Sequence, residues 1–292
     1  MTYDFRDKVI VVTGGAGGIG SAMCRRFAAG GAHLVVVDID ETRARATAAD
    51  LPGAGHAGLG CDLLDRTAVE RMADDVAATH GRIDVLVNNV GMTSAERFDV
   101  RSVESIEREI ALNLLSPLVT TRTAIPLLRA AGDPRVVTTV SLGGIFPLGE
   151  TPIYTASKFG LRGAMLSIGL DLRDKGIKAG SVLPSATDTG MLRQEAVDGG
   201  NAMQFQDPPQ QPSDVVDAVV SLLDKPRLEA YVRPGESRLV RFAMLAPNLL
   251  PKVFPLFRKR GERGMAQYLE DLRRRGLARR IDGRWELVEA SP

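Results

Sequence analysis

Residues 8–20 read Lys8-Val-Ile-Val-Val-Thr13 and then Gly14-Gly-Ala-Gly-Gly-Ile-Gly20. The first half is a β-branched run that stops at glycine, the pattern of a short strand buried on both faces. The second half cannot continue a strand, and Ser21–Ala29 behind it has a helical composition that ends at Gly30-Gly31. A strand, a glycine turn and a helix in this order bring backbone close to a pyrophosphate. The helix N-terminus then offers its free N–H groups and partial positive charge. Gly14, Gly18, Ile19 and Gly20 are therefore candidate cofactor-binding residues.

Working outward, His33–Val37 is a second strand ending in Asp38, and Glu41–Asp50 is helical. Gly58–Cys61 reads as a third strand before Asp62-Leu63. Arg66–His80 reads as an amphipathic helix closed by Gly81, and Asp84–Val87 as a strand before Asn88-Asn89. Residues 102–130 are helical, with Pro117 and Pro126 expected to bend or interrupt the helix. Arg135–Val140, Ile177–Leu183 and Glu229–Val232 are further strands, and Thr155–Asp174 a further helix. Such alternation predicts an α/β fold, a doubly wound parallel sheet (Rossmann-type, about seven strands) with helices on both faces. Residues 1–233 form the expected catalytic domain, in which polar, Gly- and Gln-rich 190–212 reads as a mobile substrate lid. Residues 234–292 form a C-terminal helical extension packed on the same domain.

Lysine plus arginine number 37 against 36 acidic residues, so charge gives no reason to expect a nucleic-acid partner. Cys24 and Cys61 form neither a metal spacing nor a disulfide framework, and His33, His56 and His80 are scattered, so no metal is expected. Met1–Asp7 is polar and lacks a secretory pattern, which suits a cytoplasmic setting.

Asp38 at a strand end can accept hydrogen bonds from ribose hydroxyls and would repel a 2′-phosphate. Ala16, Gly17 and Ile39 beside it bring no basic group, so NAD is expected over NADP. Tyr154 and Lys158, four positions apart, share one helix face. An adjacent ammonium should lower the phenol's pKa from its usual value near 10 and make Tyr154 a proton acceptor. Ser141, at the end of the Arg135–Val140 strand, can hydrogen-bond a substrate oxygen.

Thr13-Gly-x-x-x-Gly-Ile-Gly20, Asn88-Asn-Val-Gly91, Ser141-Leu-Gly-Gly144 and Tyr154-Thr-Ala-Ser-Lys158 together resemble the short-chain dehydrogenase/reductase family across about residues 6 to 232. The resemblance implies a catalytic set of Asn113, Ser141, Tyr154 and Lys158, with Asn113 holding a water that relays protons to the lysine. It implies further cofactor contacts at Asp38, Ile39, Asp62, Leu63, Asn89, Thr187 and Thr189, and from Tyr154 and Lys158. It also implies hydride transfer between a secondary alcohol and a ketone, and a homodimer or homotetramer through the long helices. Two positions depart from the family pattern. Val90 stands in place of alanine, and Ser185 in place of a glycine, where a positive φ would strain it.

Two other readings share these residues: a catalytically silent dinucleotide-binding sensor, and a dehydratase or epimerase relative. The tail adds an apolar stretch, Leu239–Phe257, broken by Pro247, Pro251 and Pro255 and followed by basic runs at 258–260 and 273–275. It reads as a cover for the pocket, a subunit interface or a peripheral membrane contact. An apolar cover suits a lipophilic substrate.

Overall fold

The computed structural model describes residues 3–288. Its centre is a seven-stranded parallel sheet in the order β3-β2-β1-β4-β5-β6-β7. The strands are β1 Val9–Thr13, β2 His33–Asp38, β3 Ala57–Gly60, β4 Val85–Asn88, β5 Arg135–Thr139, β6 Lys178–Leu183 and β7 Glu229–Tyr231. Alternate residues of each central strand enter opposite cores. Ile10, Val12, Leu34, Val36, Val85 and Val87 pack on one face, and Val11, Val35, Val37 and Leu86 on the other. Both faces are buried, so these strands read as unbroken apolar runs.

Helices α1 (Gly18–Ala28) and α8 (Pro212–Asp224) cover the first face. The second is covered by α3 (Arg66–His80), α5 (Ser116–Arg129) and α6 (Pro152–Arg173). Helix α2 (Glu41–Ala49) flanks the β3 edge. It starts on Asp40, whose side chain accepts from the Arg43 N–H at 3.1 Å, and α3 ends on Gly81 in the left-handed conformation at φ 68°.

The long helical stretch departs from expectation. Helix α4 (Val103–Ile110) passes into a π-helical turn, Ala111–Leu115, before α5. The irregularity sits at Asn113 rather than at Pro126, which α5 accommodates. Pro117 has no N–H to offer the carbonyl four residues back, that of Asn113, so a wider turn there costs little.

The region read as a mobile lid carries two short helical segments packed against the tail. Helix α7 (Gly190–Val197) and a 3₁₀ turn, Ala202–Phe205, bury Leu192, Ala196 and Phe205 against Tyr268, Leu269 and Leu272. Those partners belong to α10 (Leu250–Arg274), which follows α9 (Pro234–Ala243). Local composition could not reveal a partner some 60 residues downstream. A hairpin of β8 (Ala278–Ile281) and β9 (Arg284–Leu287) closes the described chain, turning at Asp282 and Gly283, both with positive φ.

Candidate active site

Because the strand order reverses between β1 and β4, a crevice opens at the carboxyl ends of the strands. It is a cavity of about 880 Å³. The sequence-predicted residues Gly14, Gly18, Ile19, Asp38, Ile39, Asp62, Leu63, Asn89, Ser141, Tyr154, Lys158, Thr187 and Thr189 all line it. Gly20 and Asn113 lie behind this lining.

The β1–α1 turn fits a dinucleotide. Gly14 has φ 62°, and a Cβ on Gly20 would fall 2.0 Å from the Gly14 oxygen. No side chain caps α1, so the first-turn N–H groups are left to face an anion. Asn89 ties the neighbouring strands to this turn. Its N–H donates to Thr13 Oγ1 at 3.1 Å, its Nδ2 donates to the Gly14 carbonyl at 3.4 Å, and its Oδ1 accepts from Thr139 Oγ1 at 3.1 Å. Val90 packs against Gly14, where a Cβ would meet its Cγ2 at 3.1 Å.

At the adenosine end, Asp38 Oδ2 accepts from the Ala16 N–H at 3.2 Å. The expectation that no basic group lies here is corrected: Arg43 lines the same rim and donates to the Ala16 carbonyl at 3.0 Å. Arg43 was missed because it lies one helical turn past the α2 cap, outside the loop itself. Ser185 is not strained, since the positive-φ residues other than glycine are Asp7 and Asp282 among the described residues.

At the other end, Ser141 and Tyr154 flank Gly143. A Cβ there would lie 3.1 Å from Tyr154 Cε1 and 3.3 Å from Ser141 Oγ. Tyr154 and Lys158 are in the first two turns of α6, and the Lys158 ammonium sits 5.6 Å from the Tyr154 ring centroid. Lys158 Nζ also donates to the Thr139 carbonyl at 3.4 Å.

The electrostatics differ from the simple expectation. Burial pushes the Tyr154 phenol up to about 12, although hydrogen bonding with Ser141 favours the phenolate. Burial also pulls Lys158 down to about 8, against the pull of Glu109. The ammonium faces the tyrosine ring, so desolvation of both groups outweighs their mutual help. Glu109, fully buried, forms an ion pair with Arg101 at 2.6 Å, and its own carboxyl is raised by burial.

Asn113 spends its side chain on structure. Its Oδ1 accepts from the Met92 N–H at 2.8 Å, and its Nδ2 donates to the Met92 carbonyl at 2.8 Å and to Ser157 Oγ at 3.1 Å. The side-chain amide of the residue expected to hold a relay water is thus engaged by Met92 and Ser157.

The family profile described as short chain dehydrogenase matches residues 8–198. The chain belongs to the short-chain dehydrogenase/reductase family. This is an oxidoreductase family, and two relatives are dehydrogenases. A D-threitol dehydrogenase of Mycolicibacterium smegmatis is 32% identical over 210 residues, covering 70% of this chain and 80% of its own. A 3beta-hydroxysteroid dehydrogenase of Mediterraneibacter gnavus is 30% identical over 201 residues, covering 66% of this chain and 71% of its own. A short-chain dehydrogenase/reductase of Burkholderia phymatum, solved with NAD, shares the fold at a TM-score of 0.77 and 23% identity, over 85% of this chain and 96% of that one.

The tail of this family member reaches the loop carrying Thr187 and Thr189 through a network without a sequence signature. Asp188, between Thr187 and Thr189, accepts from Arg193 Nε at 2.8 Å, from the Tyr268 hydroxyl at 2.7 Å and from Arg275 Nη1 at 2.8 Å. Burial pushes its carboxyl up, but these donors outweigh burial and hold it below its ordinary value. Tyr268→Phe removes one buried donor and should cost roughly 1–2 kcal/mol of stability in urea unfolding. It should also raise KM for the dinucleotide, with kcat little changed. Unchanged stability and unchanged KM would show that the tail does not support this loop.

Proposed function

We propose that the chain is an NAD-dependent oxidoreductase that interconverts a secondary alcohol and a ketone on a lipophilic skeleton. One observation carries this reading: Ser141, Tyr154 and Lys158 share a cavity with the Gly14–Gly20 turn. The glycine turn and the bare α1 terminus suit a pyrophosphate, and a bound NAD⁺ supplies the hydride acceptor. Ser141 Oγ hydrogen-bonds the reacting oxygen, Tyr154 takes the alcohol proton or returns it to the carbonyl, and Lys158 stabilises the charge left on the phenol. Asn113, by clamping Met92, fixes the wall beside Lys158: a Cβ on Gly91 would lie 3.3 Å from Lys158 Nζ and 3.5 Å from Asn113 Oδ1. A silent sensor would have no use for this arrangement of acid, base and hydroxyl.

The lipophilic part of the reading rests on α9 and α10. Leu239, Val240, Ala243, Leu250, Val253 and Phe257 form the cavity wall away from the glycine turn. Outside, these helices and the turn between them expose Phe242, Leu245, Leu249 and Leu256 among Arg238, Lys252 and Lys259. Exposed apolar groups set among cations suit an anionic lipid surface, and a cavity mouth placed there would admit substrate from that surface. Elsewhere, Phe159 and Leu170 lie exposed on one face of α6 and support homo-oligomer formation through the long helices.

Four outcomes test this function. Tyr154→Phe should lower turnover of secondary alcohols by roughly 10²- to 10⁴-fold, while NADH titration shows binding almost unchanged. In the wild type, both Tyr154 and Lys158 hold their protons below about pH 8, and above it the pair holds one fewer. Accepting a substrate proton needs that vacancy, so kcat/KM for oxidation should rise about tenfold per pH unit and level off beyond the lysine's titration.

The wild type should prefer NAD. Asp38→Ser should unmask Arg43 and move the kcat/KM ratio toward NADP by roughly 10- to 100-fold, about 1.4–2.8 kcal/mol. A wild type that prefers NADP contradicts the cofactor assignment. Finally, the protein should co-sediment with vesicles rich in anionic lipid at low salt, and substitution of Phe242, Leu245 and Leu256 by serine should release it. Absence of wild-type binding removes the membrane contact.

A further inference from the structure

We propose that Glu195 binds a second hydroxyl of the substrate, one set apart from the hydroxyl that is oxidised, so that the preferred substrates are diols, or hydroxy-ketones in the reverse direction, on an apolar skeleton. This rests on the reading above that the cavity oxidises a secondary alcohol.

Glu195 lies on α7 and lines the cavity. The same cavity is lined by apolar Phe146, Leu148, Met191, Leu192 and Met203. A carboxyl in such a wall costs free energy unless its oxygens are satisfied. The residue is only 6% exposed. One oxygen is satisfied: Oε1 accepts from Gln204 Nε2 at 2.6 Å and from the Asn201 N–H at 3.3 Å. Among the described residues no hydrogen bond reaches Oε2.

The acid is held in place. Gly200 lies over its stem so closely that a Cβ would fall 2.4 Å from Glu195 Cγ, and the Gly200 N–H donates to the Glu195 carbonyl at 2.8 Å. Asn201, fully buried, accepts from the Met203 N–H at 2.9 Å and reaches Thr151 Oγ1 at 3.4 Å. The loop from 199 to 204 thus fixes one carboxyl oxygen and leaves the other to the cavity.

Ser141 and Tyr154 already serve the reacting oxygen. Glu195 is a separate polar point whose charge is felt at Tyr154. Burial pushes its carboxyl up to about 7, with Glu109 and Glu150 adding to the shift while Gln204 and Asn201 oppose it. Near neutrality it can therefore accept from a hydroxyl when ionised, or donate to one when protonated. A hydroxyl, being donor and acceptor at once, matches both forms, whereas an ether or a ketone matches only the protonated form.

The test compares cyclohexanol with the cyclohexanediols, and a steroid 3-ol with the matching 3,17-diol. It uses NAD⁺-linked turnover and the Tm shift of the NADH-loaded protein. The wild type should favour the diol of at least one pair. Glu195→Leu should erase that preference, lowering kcat/KM for the diol by roughly 10- to 100-fold with the mono-alcohol unchanged or improved. Glu195→Gln keeps an oxygen for Gln204 and Asn201 and turns an N–H₂ to the cavity. It should retain the diol within a few-fold, and for the matching 17-keto 3-ol, which the wild type holds only while the carboxyl is protonated, it should lose the pH dependence of KM near neutrality. A purely structural acid would predict equal losses for both members of a pair, or a Glu195→Gln profile with unchanged pH dependence, and either result overturns the proposal. A wild type with no diol preference in turnover or Tm shift also overturns it. Absence of Tyr154-dependent turnover, with diol-selective Tm shifts intact, would instead refute the oxidoreductase reading alone.

Discussion

At the β1–α1 turn the chain has no room for a side chain: a Cβ on residue 20 would fall 2.0 Å from the Gly14 oxygen. That close approach sets where α1 begins and how directly its first N–H groups face the crevice. It also sets the position of Asn89, whose amide spans from the Gly14 carbonyl to Thr139. Thr139 in turn presents its carbonyl to Lys158. A backbone contact at the proposed phosphate-binding turn is thereby connected, through three neighbouring strand ends, to the lysine of the proposed proton-transfer site.

At the proton-transfer end, burial governs the chemistry. Desolvation acts in opposite directions on a phenol and an ammonium, raising one group and lowering the other. The buried Arg101–Glu109 pair supplies a compensating anion behind the lysine without placing a carboxylate in the cavity. The π-turn at Asn113 serves the same arrangement. It carries the amide that clamps Met92 in the loop after β4, next to Gly91 beside the lysine.

Much of this was legible in the sequence because it is local. Apolar runs ending at glycine or a polar residue marked the strands, Gly81 marked a helix end, and the spacing from Ser141 through Tyr154 to Lys158 marked one strand end and the helix that follows it. What stayed hidden was contact between distant segments. Arg43 comes back to Ala16 from within a helix, Glu109 finds Arg101 across a helix start, and Asp188 gathers donors from α7 and α10. The region 190–212 looked mobile because it is polar and rich in Gly and Gln, and the partners of Leu192, Ala196 and Phe205 lie far along the chain in α10. The hairpin after α10 did carry a signal, Asp282-Gly283, the dipeptide suited to a tight turn with positive φ at both positions.

The tail is what makes this cavity particular to this chain. A doubly wound sheet provides the glycine turn and the Tyr–Lys helix, but its crevice would be open on the side away from the glycine turn. Here α10 supports α7 and the 3₁₀ turn after it through Phe205, Tyr268, Leu269 and Leu272, while its first turns and α9 supply wall. The hydrogen bonds of Tyr268 and Arg275 to Asp188 tie that support to the loop carrying Thr187 and Thr189. The apolar wall and the loop carrying Thr187 and Thr189 consequently share one set of contacts. A movement of α10 that opened the apolar wall would also pull on Asp188, so access for the proposed lipophilic substrate and the proposed grip on the cofactor are mechanically linked.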